Sequence, residues 1–132
     1  MAWLIGALLA LAVGVFGSAS GFDRDRAFYP TVTVVVATYY VLFATMAGGA
    51  PLLAELPGAA VFVAAAVLGF RWTLWAAVAG LAGHGVFDLF HAALIVDPGV
   101  PAWWPAFCSS YDIVAALYLA ALILSGRLRA AA

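Results

Sequence analysis

The sequence has very little charge. Only 8% of its 132 residues are Asp, Glu, Lys or Arg, whereas a soluble domain carries about 25%. It has no run of basic residues and a formal net charge of -1, so nothing in it indicates nucleic-acid binding. Cys108 is the only cysteine, which excludes an internal disulfide and a multi-cysteine metal cluster. Together these absences exclude a water-soluble globule.

Hydrophobic residues are abundant instead and make up 68% of the chain. A hydrocarbon core about 30 Å thick needs about 20 apolar residues per helical crossing. The sequence contains five such runs separated by short segments rich in Gly, Pro or Arg. We therefore predict an all-α, polytopic transmembrane bundle that forms a single domain over 1–132, with the lipid bilayer as its environment. The predicted helices cover residues 2–20, 31–48, 52–70, 72–96 and 107–125.

The arginines predict the orientation of this bundle. With five crossings, the first loop, the third loop and the C-terminal tail lie on the same side and hold every arginine. Positive residues in short loops stay on the cytoplasmic side, so we expect the N-terminus outside and the C-terminus inside. An alternative takes residues 1–20 as a signal peptide cleaved after Ser20. The lack of a basic residue before the apolar run opposes that alternative, as does the export of every arginine that it requires.

The fourth predicted helix holds the most informative pattern, His84-x3-Asp88-x2-His91. At about 100° per residue the three side chains fall within an arc of about 60° on one face. An ionisable group in hydrocarbon costs about 2.5 to 3.5 kcal/mol on insertion scales, so each of these groups needs an explanation. The pattern predicts a buried polar site on this helix.

Other helices are expected to bring polar groups to the same depth. Counting about 1.5 Å per residue from the arginines puts Glu55 on the third helix and Asp112 on the fifth at the level of the histidines, in the outer leaflet. Thr45 on the second helix reaches this level too, and Cys108 precedes Asp112 by one turn. We take His84, Asp88 and Asp112 as candidate catalytic residues, with His91, Glu55, Thr45 and Cys108 as ligand-binding or auxiliary residues. The inner half below them is expected to lack ionisable side chains.

The same groups can serve a metal ion or proton transfer. His84 and His91 lie about 10 Å apart along the helix axis, too far for both to bind one ion. The candidate metal ligands are His84, Asp88, His91 and Asp112, and we expect Asp88 and one imidazole to act with Asp112 and Glu55. The cofactor is unknown, and a divalent metal such as zinc or iron fits these ligands. Without a metal, the carboxylates and imidazoles suit acid–base chemistry.

Structural alternatives exist for several of these residues. A hydrogen bond between His84 and Asp112 can simply join two helices. Glu55 precedes Pro57 closely enough to lie in a solvated loop. Cys108 suits a role as a small apolar filler.

Two further alternatives concern groups near the outer surface. Asp88 and His91 can extend toward the lipid headgroups. Thr45 belongs to a stripe with Thr31 and Thr38 at seven-residue spacing, and such threonines commonly bond carbonyls of their own helix.

Several segments of the chain resemble a group of small, uncharacterised bacterial multi-pass integral membrane proteins. They are Asp23–Thr31 (DRDRAFYPT), Gly83–Asp88 (GHGVFD) and Gly99–Cys108 (GVPAWWPAFC). This resemblance implies a multi-pass protein of the bacterial inner membrane and attaches no activity to it. A looser likeness in site geometry links the chain to sterol isomerases of the emopamil-binding type, which also set a histidine and an acid one turn apart in a small helical bundle.

Three functional hypotheses follow from the sequence, and they leave open whether the protein is an enzyme. The first is a membrane-embedded enzyme or binding protein for a lipophilic, lipid-phase small molecule. The second is a proton-coupled transporter or channel, which needs a polar route through the inner half or across a homo-oligomer. The third is a scaffold or accessory subunit that uses the polar contacts only to hold its helices together.

Overall fold

Five α-helices make up almost the whole chain. The structure is a computed structural model that describes all 132 residues. A short 3-10 turn, Phe22–Arg24, follows the first helix, and an isolated β-bridge joins Thr73 to Ala131. All five helices are long and apolar enough to cross a membrane, so the predicted all-α, five-helix transmembrane bundle is confirmed. The helices are α1 (Ala2–Ser20), α2 (Phe28–Met46), α3 (Leu52–Arg71), α4 (Leu74–Leu94) and α5 (Trp104–Leu124).

The helix ends differ from the predicted ends by up to three residues. α2 begins at Phe28, which places Pro30 within its first turn, and α5 begins at Trp104, which places Pro105 at its second position. Proline is tolerated at both places because backbone N–H groups in a first helical turn have no partner within the helix. Thr73 has extended backbone angles and caps α4, so α4 begins two residues later than predicted.

The helices pack in the order α1, α5, α4, α3, α2. α5 packs against both α1 and α4, and α3 packs against both α4 and α2. α2 also packs against α4 but touches α5 only slightly, and its backbone stays apart from that of α1. The Phe28 ring at the start of α2 nevertheless lies against Gly17 of α1. α4 therefore lies at the centre of the bundle, and a gap remains between α1 and α2.

One face of α4 is buried along its whole length. The residues on this face follow one another at intervals of three or four, the spacing that keeps side chains on one side of a helix. The face is apolar in the half that contains the helix N-terminus and polar in the other half. Its principal buried residues are Leu74, Ala77, Leu81, His84, Asp88 and His91.

The arginines gather at the end of the bundle where α4 begins. A surface cavity of about 340 Å³ there is lined by residues that include Arg24, Arg127 and Arg129. The Arg26 guanidinium donates hydrogen bonds to the carbonyl groups of residues 70 and 69, at distances of 2.6 and 3.0 Å, next to Arg71 at the end of α3. The first loop, the third loop and the tail thus meet at one end, as the five-helix arrangement requires.

Gly6 allows α1 to pack closely on α5. A Cβ atom at this position would overlap the Phe107 carbonyl oxygen and the Ser110 hydroxyl, whereas a Cβ at Gly58 of α3 would make only ordinary contacts. Both glycines are helical, so alanine improves helix propensity at both by about 1 kcal/mol. We predict that Gly6→Ala lowers the free energy of unfolding by about 1 to 3 kcal/mol through overpacking, while Gly58→Ala leaves it unchanged or raises it. Unfolding in mixed detergent micelles measures both, and equal stability of the two variants would contradict the close α1–α5 packing.

Candidate functional site

α4 supplies three polar side chains that the bundle buries completely. His84, Asp88 and His91 are each 1% exposed, and their one-face arrangement follows directly from their spacing in the sequence. They occupy the half of α4 away from the arginines. The sequence-predicted polar face of α4 therefore points into the bundle, and its side chains are not directed toward lipid headgroups.

Asp112 of α5 is the nearest partner of His84. The Nδ1 atom of His84 lies 2.7 Å from Oδ2 of Asp112, and Asp112 is 0% exposed. The same imidazole nitrogen lies 3.6 Å from Oδ2 of Asp88, one turn further along α4. His84 thus lies between two carboxyl groups from different helices. A strong α4–α5 connection results, because both partners are shielded from water.

Cys108 completes a compact group of potential ligand atoms. Its thiol lies one turn before Asp112 on α5 and donates a hydrogen bond of 3.7 Å to Oδ2 of that residue. Taking one ligand atom each from His84, Asp88, Cys108 and Asp112, all four atoms lie within 4.8 Å of one another. All four residues are buried. We call this group the four-residue cluster.

Glu55 and His91 form a separate pair. The Nε2 atom of His91 lies 2.8 Å from Oε1 of Glu55, and both side chains are at most 2% exposed. Glu55 lies in the first turn of α3 and is buried there, so it is neither in a loop nor solvated. The expected ligands were Asp88, one imidazole, Asp112 and Glu55. In the structure Cys108 is the fourth member of the cluster, and Glu55 pairs with His91 outside it.

Tyr40 of α2 connects the two groups and is absent from the sequence-predicted site. Its hydroxyl donates a hydrogen bond of 2.7 Å to Oδ1 of Asp88. Its ring stacks on the imidazole of His91, with centroids 3.8 Å apart and planes 11° apart. The helical rise from Pro30 puts the Cα atom of Tyr40 in the inner half of the bundle, but a tyrosine hydroxyl lies well beyond its own Cα atom. It lies on the same helix face as Thr33 and Ala44, which the structure also buries.

Thr45 is not brought to the site. Its side chain is exposed, and its hydroxyl donates to the carbonyl oxygen of Leu42 in its own helix at 2.6 Å. Thr31 and Thr38 are also exposed, so the seven-residue spacing marks a face of α2 that points outward. The height of Thr45 along α2 is therefore not enough to bring it to the site, because its side chain points out of the bundle.

The site contains more carboxyl groups than it has bases to pair with them. Three buried carboxyl groups, of Glu55, Asp88 and Asp112, accompany two imidazoles, and the arginines lie at the far end of the bundle. Oδ2 of Asp88 and Oδ1 of Asp112 are buried without a hydrogen-bond partner. An unpaired buried carboxylate oxygen is costly, so these atoms indicate either a bound cation or a proton on one of the carboxyl groups.

Aromatic rings surround the cluster on the side of α3. The ring of Phe62 meets the imidazole of His84 edge to face, with centroids 4.9 Å apart. The ring of Phe87 packs against both Tyr40 and His91 at centroid distances of 6.0 and 5.5 Å. These rings keep water from the polar groups and strengthen the electrostatic interactions among them.

Comparison with protein-family models, with curated proteins and with solved structures finds no match to this chain. What the site can do is therefore inferred from its own chemistry. A buried group of imidazole, thiol and carboxyl side chains can bind a transition metal, and it can also transfer protons.

The hydrogen bond from Tyr40 to Asp88 can be tested by removing one hydroxyl. Tyr40→Phe keeps the ring that stacks on His91 but leaves Oδ1 of Asp88 without its donor. We predict a loss of about 1 to 2 kcal/mol in the free energy of unfolding in detergent. Tyr39→Phe is the matched control, because Tyr39 is the neighbouring tyrosine of α2 and lies outside this contact. Equal losses in the two variants would show that the Tyr40 hydroxyl does not stabilise Asp88.

Proposed function

We propose that this membrane protein holds a divalent transition metal ion at the four-residue cluster and uses the centre on a small lipid-phase molecule. The observation that carries the proposal is the convergence of four buried ligand atoms within 4.8 Å, two of the four residues having unpartnered carboxylate oxygens. The protein is a multi-pass helical bundle that encloses a buried group of His, Asp and Cys side chains.

The ligand types support zinc or iron(II) over magnesium or calcium. Imidazole nitrogen and thiolate sulfur are ligands of transition metals, whereas magnesium and calcium prefer an all-oxygen set. In a tetrahedral zinc site, with Zn–S of about 2.3 Å and Zn–N of about 2.0 to 2.1 Å, the ligand atoms lie about 3.4 to 3.6 Å from one another. The four atoms of the cluster lie within 4.8 Å of one another, so they would have to close in by about 1 Å to bind such an ion.

Charge supports the same conclusion. Asp88 and Asp112 share a single imidazole, and neither carboxyl group has an arginine within reach. A divalent cation would balance this excess of carboxylate in a region where water cannot. Such an ion supplies Lewis-acid chemistry by polarising an oxygen atom of a bound molecule. Tyr40 then acts as a positioning residue, because its hydroxyl fixes the orientation of Asp88.

Acid–base chemistry without a metal is the second candidate function. It is favoured by the hydrogen bonds that join His84 to Asp112 and Tyr40 to Asp88, with Oδ2 of Asp88 only 3.6 Å from Nδ1 of His84. In this alternative one carboxyl group of the cluster carries a proton, and His84 accepts or delivers that proton during reaction. Both candidates use the same residues, and metal analysis separates them.

A transporter and a purely structural role receive less support. Below the cluster the fully buried side chains of Ala77, Leu81 and Leu119 are apolar. The buried hydroxyl of Thr33 donates to the Tyr29 carbonyl oxygen of its own helix, so these residues form no continuous chain of polar side chains. A structural role needs only matched pairs such as Glu55 with His91, whereas the cluster contains two carboxyl groups for one imidazole. We therefore favour a binding or catalytic centre over both of these roles.

We also propose which membrane contains the protein and on which side of it each terminus lies. The gathering of all arginines at one end supports an N-terminus outside and a C-terminus inside, with the cluster nearer the outer surface. The resemblance of the DRDRAFYPT, GHGVFD and GVPAWWPAFC segments to small bacterial integral membrane proteins favours the bacterial inner membrane.

Metal content of the purified protein tests the proposal. We predict about one zinc or iron ion per chain, lost in Asp112→Asn and in Cys108→Ala. Each variant has a matched control. Asp97→Asn removes a carboxylate from the loop after α4, and Ser109→Ala truncates a neighbouring residue that is as buried as Cys108. Elemental analysis by mass spectrometry gives the content, and circular dichroism verifies that each variant is folded.

Two results would reject the metal centre. One is wild-type protein without metal that also fails to bind zinc or iron(II) added in detergent. The other is unchanged metal content in folded Asp112→Asn and Cys108→Ala.

Proton flux into liposomes tests the transporter alternative. Because the core below the cluster has no continuous chain of polar side chains, we predict that protein-containing liposomes with an imposed pH difference leak protons no faster than protein-free liposomes. A pH-sensitive dye inside the vesicles measures the rate. Flux that rises with protein content and disappears in His84→Ala would instead support a proton route through the cluster.

A further inference from the structure

Four of the five arginines line a single cavity at the end of the bundle where α4 begins. The cavity has a volume of about 340 Å³, within the range of about 300 to 1,000 Å³ that is usual for ligand sites. The loop after α1 and the C-terminal tail, which are distant in the sequence, each contribute two of the arginines. We call it the arginine cavity, and its charged side chains belong to Asp23, Arg24, Arg26, Arg127 and Arg129.

Backbone hydrogen bonds hold the tail beside this cavity. The N–H group of Leu74, the first residue of α4, donates to the carbonyl oxygen of Ala130 at 2.8 Å. The β-bridge between Thr73 and Ala131 continues this pairing. Arg129 therefore extends from a paired backbone, which reduces the freedom that the tail would lose on binding a ligand.

Arg26 is oriented by the end of α3. Its Nε and Nη2 atoms donate to the carbonyl oxygens of residues 70 and 69, at 2.6 and 3.0 Å, whereas its Nη1 group has no partner in the protein. A guanidinium group presents its N–H donors in a rigid fork, so fixing one edge also fixes the direction of the free donors. Arg26 can therefore bind an anion with little further loss of side-chain freedom.

Positive charge in the arginine cavity exceeds negative charge. Asp23 is the only carboxylate side chain of the lining, and it is 6% exposed, accepts a hydrogen bond from the Ser18 hydroxyl and forms no ion pair with an arginine. The main-chain carboxyl group of Ala132 adds at most one more negative charge. The guanidinium groups other than that of Arg26 make no hydrogen bond or ion pair within the protein. Guanidinium groups gathered around one space repel one another and attract an anion, so the cavity has the charge of an anion site.

The preference of arginine for the cytoplasmic side does not by itself explain the cavity. That preference requires only that arginines lie in loops on one side of the membrane. Arg71 satisfies it at the end of α3 without lining the cavity. The convergence of the other four arginines around one space is an additional feature, and a bound anion would account for it.

We propose that the arginine cavity binds a phosphate group. A phosphate monoester carries a charge of about -1.5 to -2 and three strong acceptor oxygens, so it can pair with several guanidinium groups at once. A carboxylate has one charge and two oxygens and would leave more of the arginines unpaired. The site lies at the end of the bundle away from the four-residue cluster and does not depend on the function proposed for that cluster.

A lipid headgroup is the favoured source of this phosphate. The exposed side chains of Trp72 and Trp75 lie at the same end of the bundle, close in the chain to Leu74 of the cavity lining. Tryptophan is enriched at the membrane–water interface, so the arginine cavity lies at the depth of lipid headgroups. A soluble phosphorylated molecule offers the same chemistry from the aqueous side, and only its lack of acyl chains distinguishes it.

Lipid titration of the full chain in non-ionic detergent, followed by native mass spectrometry, tests the proposal. Dioleoyl phosphatidic acid is the probe, and dioleoyl phosphatidylcholine, which has the same chains and no net charge, is its control. We expect phosphatidic acid to bind more tightly than phosphatidylcholine. Glycerol 3-phosphate, added as a competitor, carries the same phosphate without acyl chains. Displacement of the lipid by glycerol 3-phosphate would assign the site to a soluble ligand, and lipid binding that resists this competitor would assign it to a headgroup.

Arg129→Gln and Arg71→Gln form a matched pair of variants. Both remove one exposed guanidinium group from the same end of the bundle, but only Arg129 lines the cavity. Loss of a charged hydrogen-bond donor should weaken the binding of phosphatidic acid by about tenfold in Arg129→Gln and by less than about twofold in Arg71→Gln. Arg26 is unsuitable for this comparison, because its replacement also removes the hydrogen bonds to α3. Circular dichroism verifies that both variants are folded.

Equal affinity of Arg129→Gln and Arg71→Gln for phosphatidic acid would overturn the phosphate site. So would wild-type protein that binds phosphatidic acid no better than phosphatidylcholine and does not bind glycerol 3-phosphate. Both variants should keep the metal content of the wild-type protein, because neither arginine belongs to the four-residue cluster. Absence of metal from the wild-type protein would therefore leave this proposal unaffected.

Discussion

The cost of holding ionisable side chains in hydrocarbon is the constraint on which this structure depends. Five such groups, on three helices, lie in the half of the bundle away from the arginines, and each costs about 2.5 to 3.5 kcal/mol if it faces lipid alone. The fold brings every one of them to an interface between helices. Because His84 meets Asp112, His91 meets Glu55 and Asp88 meets Tyr40, the same contacts that reduce the cost also connect α4 to α5, α3 and α2.

The two halves of the α4 interface have different chemistry as a consequence. Near the arginines the interface contains Leu81, Leu119 and other apolar side chains, which pack without any need for a partner of specific type. In the other half the partners are specific, and a polar group left alone destabilises the fold. The polar contacts therefore favour one rotation of α4 against α5, α3 and α2, while the apolar half fills the space between the helices.

The Glu55–His91 pair and the four-residue cluster differ in their balance of acids and bases. Glu55 and His91 are one acid with one base, and this balance is what a contact between helices requires. The four-residue cluster adds a second carboxyl group and a thiol to one imidazole and leaves two carboxylate oxygens without partners. A contact selected only for stability gains nothing from this excess, since buried charge without a counter-charge is destabilising. The excess is what a bound cation or a transferable proton would use.

The sequence by itself determined the five crossings, the common face of His84, Asp88 and His91, and the end of the bundle that holds the arginines, because hydropathy, helical period and loop parity are local properties of the chain. The rise along a helix also gave the approximate height of Glu55 and Asp112. It did not give the rotation of one helix against another, which depends on how whole surfaces pack. For that reason only the tertiary structure decided that Thr45 faces outward, that Tyr40 reaches Asp88, and that Cys108 rather than Glu55 completes the cluster.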